Sequence, residues 1–212
     1  MTYPKVTATV QASAVYTSPA SSGTTPGLAV SAGDSVYVFV GYSAGNTGGV
    51  SVSSVTDSQS PASNVYKRAG KIQNTGHAFA PNPAVEIWYA DNVPANSSLK
   101  VTVTFSGVTV FVFAAADVVG VLPSGSLDSI TIGQKATSTS SSDPLRTVSP
   151  YDLVIACQCS YQGAGTFASA GGFVSLFVDQ SGSTGNEDLS INGWSIQAVP
   201  PADYNSQFSW PT

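Results

Sequence analysis

The feature that most constrains this chain is its punctuation. Gly and Pro break the sequence at intervals of about ten residues, and the stretches between them are rich in Val, Thr, Tyr and Phe. No stretch carries the 3.6-residue periodicity of an amphipathic helix. Branched and aromatic side chains fit a pleated surface, and short strands separated by turn residues at this spacing form sandwiches or barrels. The sequence therefore predicts an all-β protein: a two-sheet antiparallel β-sandwich of Greek-key or jelly-roll type, with under ~10% helix.

The clearest strands are 35–43 (SVYVFVGYS), 50–56 (VSVSSVT), 85–91 (VEIWYAD) and 99–105 (LKVTVTF), followed by 108–118, 152–160, 173–179 and 188–198. Alternation in 99–105 puts Leu99, Val101, Val103 and Phe105 on a core face, with Lys100, Thr102 and Thr104 opposite. Residues 108–116 and 153–156 are apolar at consecutive positions, which is expected of central strands covered on both faces. Val101, Val103, Phe105, Val112, Val154 and Ile155 are the expected core. Three stretches read as irregular: 18–26 (SPASSGTTP), 76–83 (GHAFAPNP) and 136–143 (ATSTSSSD). None marks a second domain at 212 residues. The expected organisation is an N-terminal strand and Ser/Thr/Pro/Gly-rich connector over 1–27, then a single sandwich over 28–212.

The strand and turn pattern has a recognisable order. AGDSVYVFV at 32–40 leads to SVTDS at 54–58, NVY at 64–66, IWYADNV at 87–93 and VTVTFSG at 101–107; ADVVGV at 116–121, LD at 127–128 and DLVIA at 152–156 follow. Over about residues 28–210 this resembles a β-sandwich module of largely unassigned function that recurs in bacterial and archaeal surface proteins and in phage tail or other virion proteins. The resemblance implies the fold and a place in an extracellular or virion assembly, because its motifs are strand and turn patterns with no catalytic signature. The chain departs from the pattern at ADVVG, where members carry a Glu-Tyr-Ser-Gly-type segment. It also ends at Pro211–Thr212, where members add one more apolar strand after a segment corresponding to YNSQFSW at 204–210.

Charge narrows the function classes. Only 9% of residues are charged, against about 25% in average proteins, so the surface is coated by Ser, Thr, Gly, Asn and Gln. A net charge of −5 with seven scattered Lys and Arg offers no basic stripe for nucleic acid. No apolar run approaches the roughly 20 residues of a membrane helix. The N-terminus, MTYPKVTATVQ, lacks a charged head followed by an apolar stretch, so no signal peptide is expected: either the chain is a mature or recombinant form, or it leaves the cell by another route such as host lysis. The expected location is a virion or an extracellular surface.

Catalytic chemistry finds few residues. A Ser/His/Asp arrangement needs an imidazole base, and the one histidine, His77, lies in a Pro-rich loop without a nucleophile elbow. Cys157, Cys159 and His77 give at most three zinc ligands; two small thiols in a core strand are the simpler reading. A glycosidase needs two facing carboxylates, and only Glu86 and Glu187 accompany aspartates in turn-like contexts. Asp34 and Asp57 there bond their own backbone or, alternatively, ligate Ca2+; no other cofactor is expected. Trp88, Tyr89, Trp194 and Trp210 are the candidate glycan contacts, with one of Trp88 and Tyr89 expected to point outward. Asn96-Ser97-Ser98 matches a glycosylation acceptor in a turn between strands.

The sequence thus predicts a non-enzymatic structural subunit whose partners are other copies of itself or other virion or surface proteins. A carbohydrate-binding or adhesin module is the alternative, and a hydrolase with loop carboxylates the third reading. The expected assembly element is the N-terminal arm, with Lys5, Val6, Thr7, Ala8, Thr9, Val10 and Tyr16 in an alternating strand over 5–16 on a flexible 18–26 tether. Such an arm pairs within its own body as an ordinary first strand, or inserts into a neighbour by strand donation.

Overall fold

The computed structural model describes residues 5–45, 49–62, 64–73, 82–131, 139–141, 145–148, 152–161, 168–169, 173–181, 189–198, 201–204 and 207–209. None of these is helical. In chain order the strands are β1 (Lys5–Thr24), β2 (Leu28–Val30), β3 (Ser35–Ser43), β4 (Val52–Asp57), β5 (Lys67–Gln73), β6 (Pro83–Ala90), β7 (Asn96–Leu99) and β8 (Val101–Val119). There follow β9 (Thr139–Ser141), β10 (Leu145–Arg146), β11 (Asp152–Tyr161), β12 (Ala168–Ser169), β13 (Val174–Ser181), β14 (Leu189–Ala198), β15 (Asp203–Tyr204) and β16 (Gln207–Ser209). The protein is all-β, built mainly on one large antiparallel sheet in the order β1-β8-β3-β6-β5, with β4 also on β8. A three-stranded sheet, β11-β14-β13, packs nearby, with the smaller sheets β12-β16-β9, β10-β15 and β2-β7.

β8 shapes the large sheet. The rings of Phe105 and Phe111 sit 4.5 Å apart, although six residues of straight strand span roughly 20 Å. The chain therefore turns a corner between them, at Ser106, Gly107 and Val108, and Val108 is 68% exposed on the outside of it. β1 follows the same corner: its register on β8 is regular over Gln11–Tyr16, shifts between Tyr16 and Ser22, and resumes at Ser22↔Thr104. Shifts of this kind let a paired strand bend without losing its partner.

Because the sheet bends, both of its faces are buried. On one face Val36, Val38, Val40 and Tyr42 of β3 meet Phe111 and Phe113, and the same cluster takes in Val101, Val103, Phe105, Leu28 and Leu99. On the other, Tyr37, Phe39, Val112, Ala114, Ala116 and Val118 meet Phe177 of β13, with Leu153, Ile155, Cys157 and Cys159 of β11 alongside. Burial on alternate faces explains why β3 and the second half of β8 are apolar at consecutive positions. Phe39 and Phe177 are 5.1 Å apart. Gly193 makes that contact possible, since a Cβ there would collide with the Phe177 ring.

Val101, Val103, Phe105, Val112 and Val154 are buried as expected, but several expectations change. Residues 99–105 and 108–118 are not two strands: Leu99 closes β7, and Val101–Val119 is continuous, because Ser106-Gly107 turns a corner and does not end the strand. β11 is an edge strand of its sheet, so Ile155 is only partly buried. The connector reading also fails over 18–24, which belongs to β1 and reaches Thr24↔Thr102. Its Ser and Thr residues hold a strand through β8, with Thr24 and Thr102 hydroxyls 2.8 Å apart. Asn96-Ser97-Ser98 lies in β7 and not in a turn.

Candidate functional site

The densest polar constellation lies where β3, β6 and β5 meet. Glu86 and Trp88 alternate along β6 and share a face. Glu86 has no exposed surface, so its carboxylate requires internal partners. The Tyr42 hydroxyl donates to Oε1 at 2.7 Å and the Trp88 indole N–H to Oε2 at 3.0 Å. The Arg68 guanidinium lies 3.7 Å from Oε2, and the Lys71 ammonium 3.7 Å from Oε1. Both cations also cover rings, Arg68 at 5.9 Å from Trp88 and Lys71 at 5.7 Å from Tyr42.

Strict alternation would send residues 68 and 71 to opposite faces. The β5–β6 register skips between Arg68↔Trp88 and Gly70↔Ile87, then continues at Lys71↔Glu86. The bulge at Ala69 thus brings both cations to the Glu86 face, a use of bulges common at sheet edges. Burial raises the Tyr42 hydroxyl above the ordinary phenol range, and the hydrogen bond to Glu86 raises it further. Tyr42 therefore remains a donor across the working pH range. With both oxygens engaged, Glu86 acts as a strap that fastens edge strand β5 to the sheet.

Asp57 does similar work in a loop. Its Oδ1 accepts the backbone N–H groups of Gln59 at 3.0 Å and Asn64 at 3.2 Å. Its Oδ2 accepts Asn64 Nδ2 at 2.8 Å and the Tyr66 hydroxyl at 2.9 Å. Burial first, then the Asp57 charge, raises the Tyr66 hydroxyl. Asp34 accepts the Ser31 N–H at 3.1 Å, the self-bonding turn foreseen for it. Asp91 accepts the Ser35 hydroxyl at 3.2 Å and also the Ser126 hydroxyl. Among the described residues no three His, Cys, Asp or Glu side chains converge as a metal set.

The remaining candidates separate. Tyr89 is 7% exposed, stacked on Tyr37 at 5.7 Å with Lys67 5.9 Å above its ring; its inward position comes from the cluster that β13 completes. Trp88 is half-buried under Arg68, so neither ring is a bare platform. Trp194 sits in β14 opposite Ala156 and Ser175, and its side chain lies outside the described residues. His77, Glu187 and Trp210 lie outside them altogether. Cys157 and Cys159 share the face of β11 that packs on the large sheet. Burial pushes the Cys157 thiol well up and the Cys159 thiol to about 12. Asn96 Nδ2 donates to Gln59 Oε1 at 3.0 Å.

The assembly candidates lie in β1. Lys5 pairs with Val119, Val6 with Val118 and Tyr16 with Phe111 of the same chain, while Thr7, Ala8, Thr9 and Val10 fall in the register break between Val6 and Gln11. Within the single chain the arm pairs as a first strand with β8, whose ladder it follows around the corner. Comparisons with family models, with curated proteins and with solved structures gave no match.

Sequence reading missed the Tyr42–Arg68–Lys71 convergence on Glu86. It also treated the seven cations as scattered, whereas Lys67, Arg68 and Lys71 share β5.

Proposed function

We propose that the protein is a non-enzymatic structural subunit of an extracellular or virion assembly, joined to its neighbours through β-strand edges. The carrying observation is β1, which runs for 20 residues along the rim of the large sheet. It pairs on one side only, with β8, among the described residues, and Lys5 is its one charged residue. An edge of this length with a single charge, at its first residue, is a template for another strand.

The layered fold that suits such a subunit is a Greek-key or jelly-roll sandwich, with the bent sheet closing on its own Phe105–Phe111 core and β11-β14-β13 stacked outside. The shared clusters on the two faces support this reading. The carbohydrate-binding alternative draws less support, because Tyr89 is buried and Arg68 covers Trp88. Light scattering on the purified chain tests the assembly reading. A mass that rises with concentration above 21.6 kDa is expected; a monomer at every concentration overturns it.

A further inference from the structure

The main path of the large sheet ends on two rims of opposite character, with the six-residue β4 as a shorter edge beside β8. β5 ends one rim and carries Lys67, Arg68 and Lys71 in seven residues. Placed against its own copy, that rim would set cations against cations, and cationic side chains are a standard guard of exposed edges. β1 ends the other rim with Lys5 alone. Part of β1 is guarded in a different way, by Pro19 and by the register shifts between Tyr16 and Ser22. The stretch Gln11–Tyr16 has neither guard: its pairing with β8 is unbroken from Gln11↔Ala116 to Tyr16↔Phe111. Val15 is 40% exposed there.

From this we infer that the segment Gln11–Tyr16 is a self-pairing edge and that its occupant is the same edge of a second copy, antiparallel across a two-fold axis. This inference rests on the assembly reading and names the surface and the partner. Alternate residues of a strand turn N–H and C=O to the same side, so the two-fold must pass through a residue and not between two. An axis at Ala14 sets Ser13 opposite Val15, and an axis at Ser13 sets Ala12 opposite Ala14. Both registers bring only small or apolar residues together at the centre, with no charge between Gln11 and Tyr16. β13 lies near β1 and packs on the face of the large sheet formed by Phe39 and Val112. Six residues of edge bury less than the roughly 1,000 Å² of a stable interface, so the dimer forms weakly and depends on concentration.

The test combines light scattering with cysteine cross-linking on the full chain. Val15→Lys is expected to raise the dimer dissociation constant at least about tenfold through like charges near the axis. Val65→Lys, at a position 78% exposed in the loop before β5, should leave it unchanged. Single substitutions Ser13→Cys and Ala14→Cys are made in the otherwise native chain, where Cys157 and Cys159 face the core. Under mild oxidation one of the two should give a disulfide-linked dimer, and Arg68→Cys on β5 should not. An oligomer indifferent to Val15→Lys, or one cross-linked through Arg68→Cys alone, overturns this edge while leaving assembly itself standing. A monomer at all concentrations sinks both.

Discussion

Replacing Glu86 by Ala tests whether the polar cluster is a structural strap. The substitution removes the acceptor of the Tyr42 hydroxyl, and Tyr42 has no exposed surface. A buried donor left without a partner costs about 1–3 kcal/mol. The one methylene lost from a fully buried side chain adds about 0.8 kcal/mol. Trp88 is only half-buried as a residue, so its N–H can regain water and adds little. The two cations soften the electrostatic loss: Arg68 is 48% and Lys71 26% exposed at the side chain, and both can turn to solvent. The expected cost is therefore about 2–4 kcal/mol, below the upper end for a pair with both members buried. Against a typical domain stability of about 5–15 kcal/mol, that is easily measured.

Arg68→Ala removes the exposed end of the same pair and should cost under about 1 kcal/mol. Tyr42→Phe completes the argument as a double-mutant cycle. It should destabilise the native background but recover about 1–3 kcal/mol once Glu86 is Ala, because it then removes a buried donor left without an acceptor. Urea unfolding followed by far-UV circular dichroism reads all four proteins without relying on Trp88 as a reporter, and an unchanged slope shows that stability alone has moved. The strap is refuted if Glu86→Ala costs no more than Arg68→Ala, or if Tyr42→Phe costs the same in both backgrounds.

Two further outcomes follow from the core. Phe105→Ala should cost about 3–5 kcal/mol because it empties the corner packed by Phe111 and Tyr42, whereas Thr102→Ala on the opposite face should cost under about 1 kcal/mol; equal losses in urea unfolding would mean that the pleat is assigned to the wrong faces. The raised thiols and phenols set the alkaline limit: a group whose folded pKa lies above its unfolded value stabilises the fold below the unfolded value and loses that contribution as pH rises. For Cys159 the loss runs from about 9 to about 12, with Cys157, Tyr42 and Tyr66 acting in the same direction. Midpoints of urea unfolding should fall steadily above pH 9, and a thiol reagent at pH 8 should label the two half-buried cysteines far more slowly than after urea is added. Rapid native labelling, or a flat alkaline profile, contradicts the buried face of β11.

The all-β character was legible because period-two alternation and turn residues are local signals. Val101, Val103 and Phe105 could be set on the core face from seven letters, and the consecutive apolar positions read over 108–116 are covered on both sides at 111–116 but not at Val108, which the corner exposes. What pairs with what was not legible. Ser106-Gly107 looks like a turn between two strands, and only the packing of Phe105 on Phe111 makes it a corner inside one. The stretch 18–24 has the composition of a linker, yet a neighbouring ladder fixes it, because a partner strand supplies the hydrogen bonds that local propensity does not specify.

The same logic explains why the Glu86 cluster was hidden. A bulge is an extra residue in one strand relative to its partner, so it exists only in the pairing of β5 with β6 and has no address in either strand alone. Read by alternation, KRAGK separates Arg68 from Lys71; read against β6, it joins them. In a chain with so few charges, that one inserted position sets two consequences at once. It supplies two cations to the buried carboxylate and ties the rim strand to its sheet. Under the assembly proposed above, the cationic β5 rim is the poorer edge for self-pairing and β1, with Lys5 as its one charged residue, the better one.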